Sequence, residues 1–190
     1  YKDSLFFFFC NVRITTSLRD ISQFTLVFKA TDDTILIYAV HLKASSGTSN
    51  ELQRAGEVDD LRAVTDQLPA GTNFIVCGDF NIYGDYESAY QKLLQPHSGT
   101  DGRFYDPLNM TGTWNDPAYS IYHTQSTRLN SLGGGSYGGM NDRFDMILLS
   151  RAVTEPTGIY YQPGSLTPVG NDGNHYDESV NYGTNTAVPA

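Results

Sequence analysis

The chain has 190 residues and a formal net charge of −9, which fits one domain with a hydrophobic core. Such an acidic chain is not expected to bind polyanions broadly, because that requires a basic surface. A single phosphate group is not excluded, since a bound divalent metal ion can supply local positive charge. The 39% hydrophobic content, with 18 glycines and 13 tyrosines, indicates a folded, loop-rich and strand-rich protein.

The first part of the chain predicts three strands. Residues 5–14 are mostly apolar with little alternation, which is typical of a strand buried on both faces. Residues 24–28 and 35–42 predict two further strands, separated by a polar turn at 31–34. Together these segments favour an antiparallel hairpin or meander.

A helix and a buried strand come next. The predicted helix covers residues 51–68, with Ser49 or Asn50 as its N-cap and with Pro69 and Gly71 ending it. Its apolar face consists of Leu52, Ala55, Val58, Leu61, Val64 and Leu68. Residues 74–77 predict a short buried strand, so the order of elements indicates an α/β unit.

The remainder is less regular. Residues 86–94 predict a short helix that ends before Pro96, and residues 144–149 predict another apolar strand. The intervening residues 99–139 form a long irregular region, which is usually functional or mobile when it occurs in a compact domain. Past residue 150 the sequence turns polar and predicts no further core strand, and no repeat or linker divides the chain.

The two cysteines, Cys10 and Cys77, both lie in apolar runs. Free cysteines are among the most buried residue types, so two buried thiols are favoured. A disulfide between them remains the alternative, because both residues could lie on neighbouring strands. The redox compartment is therefore left open.

Polar side chains occur at three of the predicted strand ends. Asp79 and Asn81 are two positions apart, so in an extended backbone they would face one point while Phe80 enters the core. His41 closes the strand before the helix. Asp145 lies inside an apolar run and needs a partner, either a structural one such as Arg143 or an imidazole that it orients.

Three motifs in this order resemble the endonuclease/exonuclease/phosphatase superfamily, the group of deoxyribonuclease-I-like enzymes. They are Tyr-Ala-Val-His-Leu-Lys at 38–43, Gly-Asp-Phe-Asn at 78–81 and Arg-Phe-Asp-Met-Ile-Leu-Leu-Ser at 143–150. The resemblance spans roughly residues 5–150 and is most similar to bacterial members. It implies a four-layer α/β sandwich of mostly antiparallel sheets, and hydrolysis of a phosphate ester with Mg²⁺, Mn²⁺ or Ca²⁺.

The resemblance also implies roles for individual residues. Asp79 matches the aspartate that positions or deprotonates the attacking water, and Asn81 matches the asparagine that orients the water and the phosphate. Both are the implied metal ligands of this chain. His41 stands where relatives contact the phosphate oxygens, and Asp145 stands where an aspartate supports the catalytic histidine.

Three further residues are predicted to bind substrate. Tyr38 and Arg19 stand near positions at which some relatives contact phosphate. His123 lies in the irregular region, where Trp114 and several tyrosines would either stack on a substrate or pack as a lid on the sheet.

Two family motifs are not found. The first is an early metal-binding asparagine followed by Gln-Glu, and the second is a late Ser-Asp-His before a last apolar strand. The late histidine of this chain, His175, follows Asn174 and is predicted to be a surface loop residue. The whole of residues 1–190 is therefore interpreted as one domain that is incomplete at both ends, with an incomplete metal site and an exposed sheet edge.

The favoured function is a metal-dependent phosphodiesterase whose substrate is a phosphate ester such as nucleic acid. A phosphomonoesterase or sphingomyelinase-like hydrolase is the first alternative, and an inactive binding module on the same scaffold is the second. The sequence contains no transmembrane segment. Low lysine content with abundant glycine, asparagine and tyrosine favours a secreted or periplasmic protein.

Overall fold

The computed structural model describes residues 6–188, with side chains from residue 12 onward. Five strands and three α-helices follow one another, with a 3-10 helix at Pro117–Tyr122 before the last strand. The strands are β1 (Phe6–Ile14), β2 (Ile21–Phe28), β3 (Asp33–His41), β4 (Phe74–Asp79) and β5 (Asp145–Leu149). The helices are α1 (Thr48–Thr65), α2 (Ser88–Leu94) and α3 (Arg151–Thr154).

The strands form one sheet in the order β1-β2-β3-β4-β5. Strands β1 to β3 are an antiparallel meander, as the sequence predicts, and β5 is antiparallel to β4. Only β3 and β4 are parallel among these pairs, and α1 makes the crossover that a parallel pair requires. Because of this arrangement, β3 and β4 end at the same edge of the sheet, and β5 begins there.

One face of the sheet carries the main core. Alternate residues of the three adjacent strands, such as Tyr38, Val76 and Leu148, pack in one cluster with Leu61 of α1 and Leu93 of α2. The opposite face holds a smaller cluster, in which Ile35, Leu149 and Val153 are buried. The period of two along each strand therefore separates a helix-covered face from a second face.

The predicted α/β class is confirmed. Residues 6–188 supply one sheet with α1 and α2 on one face, whereas the predicted four-layer sandwich has two sheets. At the β5 edge, Tyr105 pairs with Leu149. No helix of this described part is long and apolar enough to cross a membrane.

The predicted N-cap of α1 is wrong. Neither Ser49 nor Asn50 caps the helix, because it begins earlier and Gly47 is the N-cap, with a positive φ of 99°. The run before the helix is uniformly small and polar, so residue type alone does not locate the start. The irregular region also contains the 3-10 helix, which Asp116 caps by accepting a 2.8 Å hydrogen bond from the Ala118 N–H.

Buried ion pairs were not part of the predicted core. Arg54 of α1 is fully buried and pairs with Glu87 at 2.8 Å. Arg143 pairs with Asp106 through two bonds of 2.7 and 2.8 Å. Arg143 is therefore the partner of Asp106, and it is not the structural partner of Asp145 that the sequence offered as an alternative.

Of the two cysteines, Cys77 is a free, half-buried thiol, and burial raises its pKa. The side chain of Cys10 lies outside the described part, so the prediction of a second buried thiol is not tested.

Candidate active site at three strand ends

Three polar residues predicted from strand ends lie side by side in the sheet. His41 is the last residue of β3 and pairs in register with Asp79, the last residue of β4. Asp79 in turn is opposite Asp145, the first residue of β5. All three belong to the face away from α1 and α2, because the core residues alternate with them. We call the His41–Asp79–Asp145 row the active edge.

Gly78 allows β4 to approach β3 closely just before the active edge. Its φ is +135°, and a Cβ at this position would lie 2.0 Å from the Val40 carbonyl oxygen. Any other residue would have to push the two strands apart. The glycine of the Gly-Asp-Phe-Asn motif therefore maintains the register that places His41 beside Asp79. The His41 Nε2 and Asp79 Oδ2 atoms are 3.8 Å apart.

Asp79 and Asn81 are brought together by a turn rather than by an extended strand. Asn81 has a φ of 52°, and its N–H donates a 3.0 Å hydrogen bond to Asp79 Oδ1. Asparagine tolerates this left-handed backbone better than most residues. The Asn81 Nδ2 donates to the Leu42 carbonyl oxygen at 3.2 Å, and Phe80 is fully buried, as predicted. The Asn81 Oδ1 is thus the carboxamide atom left for a ligand.

Arg19 braces the end of β3. Its Nε donates to the His41 carbonyl oxygen at 2.8 Å, and its Nη2 donates to the Leu42 carbonyl oxygen at 2.7 Å. The guanidinium is also close enough to Asp79 to lower the pKa of that carboxyl. The structure therefore places Arg19 at the site, with two of its donors committed to the backbone.

The surroundings of the Asp79 carboxyl disfavour its ionised form. Burial raises its pKa first, and the nearby Asp145 raises it further. The Asn81 N–H, His41 and Arg19 oppose this shift, but the net direction is upward. A carboxyl of this kind accepts a proton more readily than an exposed aspartate does.

Asp145 differs from its prediction. It was expected to be embedded in an apolar strand, but it is exposed at the strand's first position. Gln125 Nε2 donates to Asp145 Oδ2 at 3.3 Å, and the Asp145 N–H donates to Thr124 Oγ1 at 3.0 Å. The sequence carries no signal for Gln125 or Thr124, because both come from the irregular region about 20 residues away.

Two residues predicted to bind substrate lie in the interior instead. Tyr38 is fully buried and packs edge-on against Phe74, and burial raises its pKa to about 12. His123 is also fully buried, with Nδ1 3.2 Å from the Met140 carbonyl oxygen and Nε2 2.8 Å from that of Trp114. The structure therefore does not expose either side chain at the active edge, and their contact with substrate stays a prediction.

The late histidine was predicted to be a surface residue, which is wrong. His175 is buried, its Nδ1 lies 2.9 Å from Asp172 Oδ1, and its Nε2 lies 2.8 Å from the Tyr182 carbonyl oxygen. Both ring nitrogens thus hold the C-terminal segment together. Of the aromatic residues in the irregular region, Trp114 is core, whereas Tyr137 is exposed.

The active edge and Asn81 supply some, but not all, of the oxygen ligands that a divalent metal ion takes. Asp79, Asp145 and the carboxamide of Asn81 present oxygens, which are the ligands that Mg²⁺ prefers. Within residues 6–188, no three His, Cys, Asp or Glu side chains are grouped so that they could hold a metal ion by themselves. Mg²⁺ commonly binds through one or two carboxylates, with water and substrate phosphate completing its shell, so the two aspartates fit that mode.

A cavity of about 250 Å³ adjoins the active edge. Its lining is mostly apolar and includes Cys77, Tyr122, Ile147 and Pro168, with Asp145 among the lining residues. A substrate group attached to a phosphate at the active edge would therefore meet an apolar surface.

No protein-family model matches the chain, and no curated protein is significantly similar to it in sequence. Solved structures are similar. D. rerio TDP2 complexed with single strand DNA product is 18% identical over 80% of this chain and 56% of that chain, with a TM-score of 0.51. A humanized D. rerio TDP2 is 18% identical over 80% and 54%, with a TM-score of 0.50.

An endonuclease/exonuclease/phosphatase family protein from Bacteroides thetaiotaomicron is 14% identical over 79% of this chain and 52% of that chain, with a TM-score of 0.46. The similarity to the two D. rerio TDP2 structures shows the fold alone, and it agrees with the α/β fold that the motifs imply. The chain spans about half the length of the structures it matches.

Proposed function

We propose that this protein hydrolyses phosphodiester bonds with a water activated at the active edge. The observation that carries the proposal is the register of three adjacent strands, which places His41, Asp79 and Asp145 in one row on one face of the sheet. The row supplies a base and an imidazole, and Asn81, bonded to Asp79, adds an amide; these are groups that attack on a phosphate by water requires.

Each residue has a distinct task in this proposal. Asp79 takes the proton from the attacking water, because burial and Asp145 raise the pKa of its carboxyl. Asn81 is held against Asp79 by its N–H and presents its Oδ1 to the same water. His41 is exposed and lies beside Asp79, so its imidazole donates to a non-bridging phosphate oxygen.

A divalent cation fits the same row. Asp79 and Asp145, with Asn81, would hold Mg²⁺, Mn²⁺ or Ca²⁺ in the mode that relies on few carboxylates and on the substrate's own phosphate. When bound, the ion supplies positive charge that offsets the charge of the phosphate, in a chain whose net charge is −9.

The substrate class is proposed from the fold and from the cavity. D. rerio TDP2, whose fold the chain resembles with a TM-score of 0.51, is described in complex with a single strand DNA product. The apolar cavity beside Asp145 would accommodate a base or another apolar group next to the phosphate. We therefore favour a nucleic-acid-like phosphodiester over a phosphomonoester.

The experiment that tests this proposal compares substrates under one condition. Rates of hydrolysis are measured for bis(p-nitrophenyl) phosphate, p-nitrophenyl phosphate, plasmid DNA and sphingomyelin, with Mg²⁺ and with EDTA. We expect Mg²⁺-dependent hydrolysis of bis(p-nitrophenyl) phosphate and plasmid DNA, faster than that of p-nitrophenyl phosphate, a monoester, and of sphingomyelin, a lipid phosphodiester. Preferential hydrolysis of p-nitrophenyl phosphate or of sphingomyelin would replace the proposal with one of its alternatives, and no hydrolysis at all would support a binding module.

Asp145→Asn is expected to shift the acid limb of the pH–rate profile to lower pH. Asp145 raises the pKa of Asp79, so removing its negative charge lets Asp79 remain ionised in more acidic solution. The measurement is kcat/KM for bis(p-nitrophenyl) phosphate between pH 4 and pH 9, normalised to each variant's own maximum. An acid limb that stays in place, or moves to higher pH, would show that Asp79 is not the group titrating.

A further inference from the structure

One carboxyl outside the active edge is buried without a partner. Asp142 is 9% exposed, and its Oδ1 makes no hydrogen bond to any described residue. Burying a carboxylate in this way is unfavourable unless a cation or a donor compensates for the lost hydration. The Asp142 backbone is fixed, because its carbonyl oxygen accepts from the Thr124 and Gln125 N–H groups at 2.9 and 3.0 Å.

A second carboxylate lies beside it. Asp177 is the charged neighbour that, after burial, raises the pKa of Asp142, which is about 6. The two segments are joined, because the Asp177 N–H donates to the Met140 carbonyl oxygen at 3.2 Å and Asn141 Nδ2 donates to Asp177 Oδ1 at 2.8 Å. The carboxylates are therefore held near each other by the backbone, against their mutual repulsion.

Tyr176 is affected by the charges of the same two carboxylates. Burial raises the pKa of Tyr176, and Asp177, Asp116 and Asp142 each raise it further. The Tyr176 hydroxyl itself donates a 2.6 Å hydrogen bond to Asn115 Oδ1. Within the described residues no arginine or lysine forms an ion pair with Asp142 or Asp177.

We propose that Ca²⁺ binds between Asp142 and Asp177. Ca²⁺ takes six to eight oxygen ligands in flexible geometry, including amide oxygens, backbone carbonyls and water. Backbone carbonyls and water would complete the shell around the two carboxylates, and Asn141, whose Nδ2 donates to Asp177 Oδ1, holds one of them in place. The unpartnered Asp142 Oδ1 then gains the partner that it lacks.

The site is expected to be weak. No third His, Cys, Asp or Glu is grouped with these carboxylates as a preformed site in the part of the chain that the structure describes. Sites with few charged ligands bind Ca²⁺ with dissociation constants of about 10⁻⁴–10⁻³ M. Such a site responds to millimolar Ca²⁺.

Ca²⁺ here would act on the active edge from a distance. Gln125 pairs with Asp142 through its backbone and donates to Asp145 through its side chain. Fixing Asp142 to Asp177 would therefore fix the segment that orients Asp145, without any contact between the ion and the substrate.

Terbium luminescence tests the site directly, because Tb³⁺ replaces Ca²⁺ and is excited through a nearby tyrosine. In the 190-residue chain we expect Tb³⁺ emission that Ca²⁺ displaces. Asp142→Asn and Asp177→Asn should each weaken Tb³⁺ binding by tenfold or more, whereas Asp79→Asn at the active edge should leave this binding within about twofold. Tyr176→Phe should lower the emission while keeping the Ca²⁺ affinity, as measured by calorimetry.

Thermal unfolding provides a second readout that does not depend on activity. The effect of Ca²⁺ is measured in the Asp79→Asn background, so that the weakened metal site of the active edge contributes little. There the Tm should rise with millimolar Ca²⁺, whereas adding Asp142→Asn should raise the Tm in EDTA and abolish the Ca²⁺ response. The proposal is overturned if Asp142→Asn retains the Ca²⁺ response, if Tb³⁺ binding is lost only in Asp79→Asn, or if the wild type responds to neither ion at millimolar concentration.

Discussion

Asp79→Asn is expected to lower kcat/KM for bis(p-nitrophenyl) phosphate by about 10²–10⁴-fold, the usual contribution of a general base. The change removes the proton acceptor and keeps the shape of the side chain. The amide oxygen can still accept the 3.0 Å hydrogen bond from the Asn81 N–H, so the turn should persist. Because burial and Asp145 disfavour the ionised carboxyl, the variant should be at least as stable as the wild type.

The matched control for this variant is Asp33→Asn. Asp33 is the first residue of β3, and His41 of the active edge is the last. The control therefore removes one carboxylate at the end of β3 that is far from the active edge. Its kcat/KM should stay within about twofold of the wild type. Equal losses in the two variants would indicate a general effect of charge, and an active Asp79→Asn would remove Asp79 from the role of base.

Arg143→Met is expected to lower the free energy of unfolding by about 3–5 kcal/mol, because it leaves a buried charge without its partner. The side chains of Arg143 and Asp106 are 2% and 1% exposed and share two hydrogen bonds. Burial raises the pKa of Asp106, but the Arg143 bonds and charge lower it overall. Methionine fills most of the volume of arginine, so lost charge pairing rather than a cavity dominates.

The loss of stability in Arg143→Met should depend on pH. A carboxyl whose pKa is lowered by folding contributes stability above its ordinary pKa and loses that contribution as the pH falls. The difference between wild type and Arg143→Met should therefore be largest near neutral pH and should shrink in acid. The measurement is urea unfolding at several pH values, followed by circular dichroism.

Lys92→Met is the control for the buried pair. Lys92 and Asp59 also form an ion pair, but their side chains are 34% and 58% exposed. Exposed pairs contribute about 0–1 kcal/mol, so this variant should be nearly as stable as the wild type. A loss in Lys92→Met that equals the loss in Arg143→Met would contradict the assignment of the large effect to burial.

The row of site residues could be predicted because it follows from local patterns. Apolar alternation locates β3 and β4, and a helix between them indicates an α/β unit. The sequence placed His41 and Asp79 at two strand ends, and the resemblance assigned both to one site; the structure adds the parallel pairing that joins them and the close approach of Val40 to Gly78.

The remaining site features depend on contacts between distant segments. Gln125 comes from a region without periodicity, and only the structure shows that it reaches Asp145. His123 and Tyr38 are residue types that occur both in cores and at sites, and packing places these two in the interior. Arg54 and Arg62 are polar residues outside the predicted apolar face of α1. Both are nevertheless buried, because hydrogen-bond acceptors in and around α2 lie against their guanidinium groups.

The most direct measurement for the account is incorporation of solvent oxygen during a single turnover. The protein is mixed in excess with bis(p-nitrophenyl) phosphate and Mg²⁺ in H₂¹⁸O, and the p-nitrophenyl phosphate product is analysed by mass spectrometry. We predict one ¹⁸O atom in each product molecule from the wild type, and formation of product by Asp79→Asn that is slower by about 10²–10⁴-fold. Product without the label, or equal labelled product from both proteins, would contradict an active edge in which Asp79 activates water.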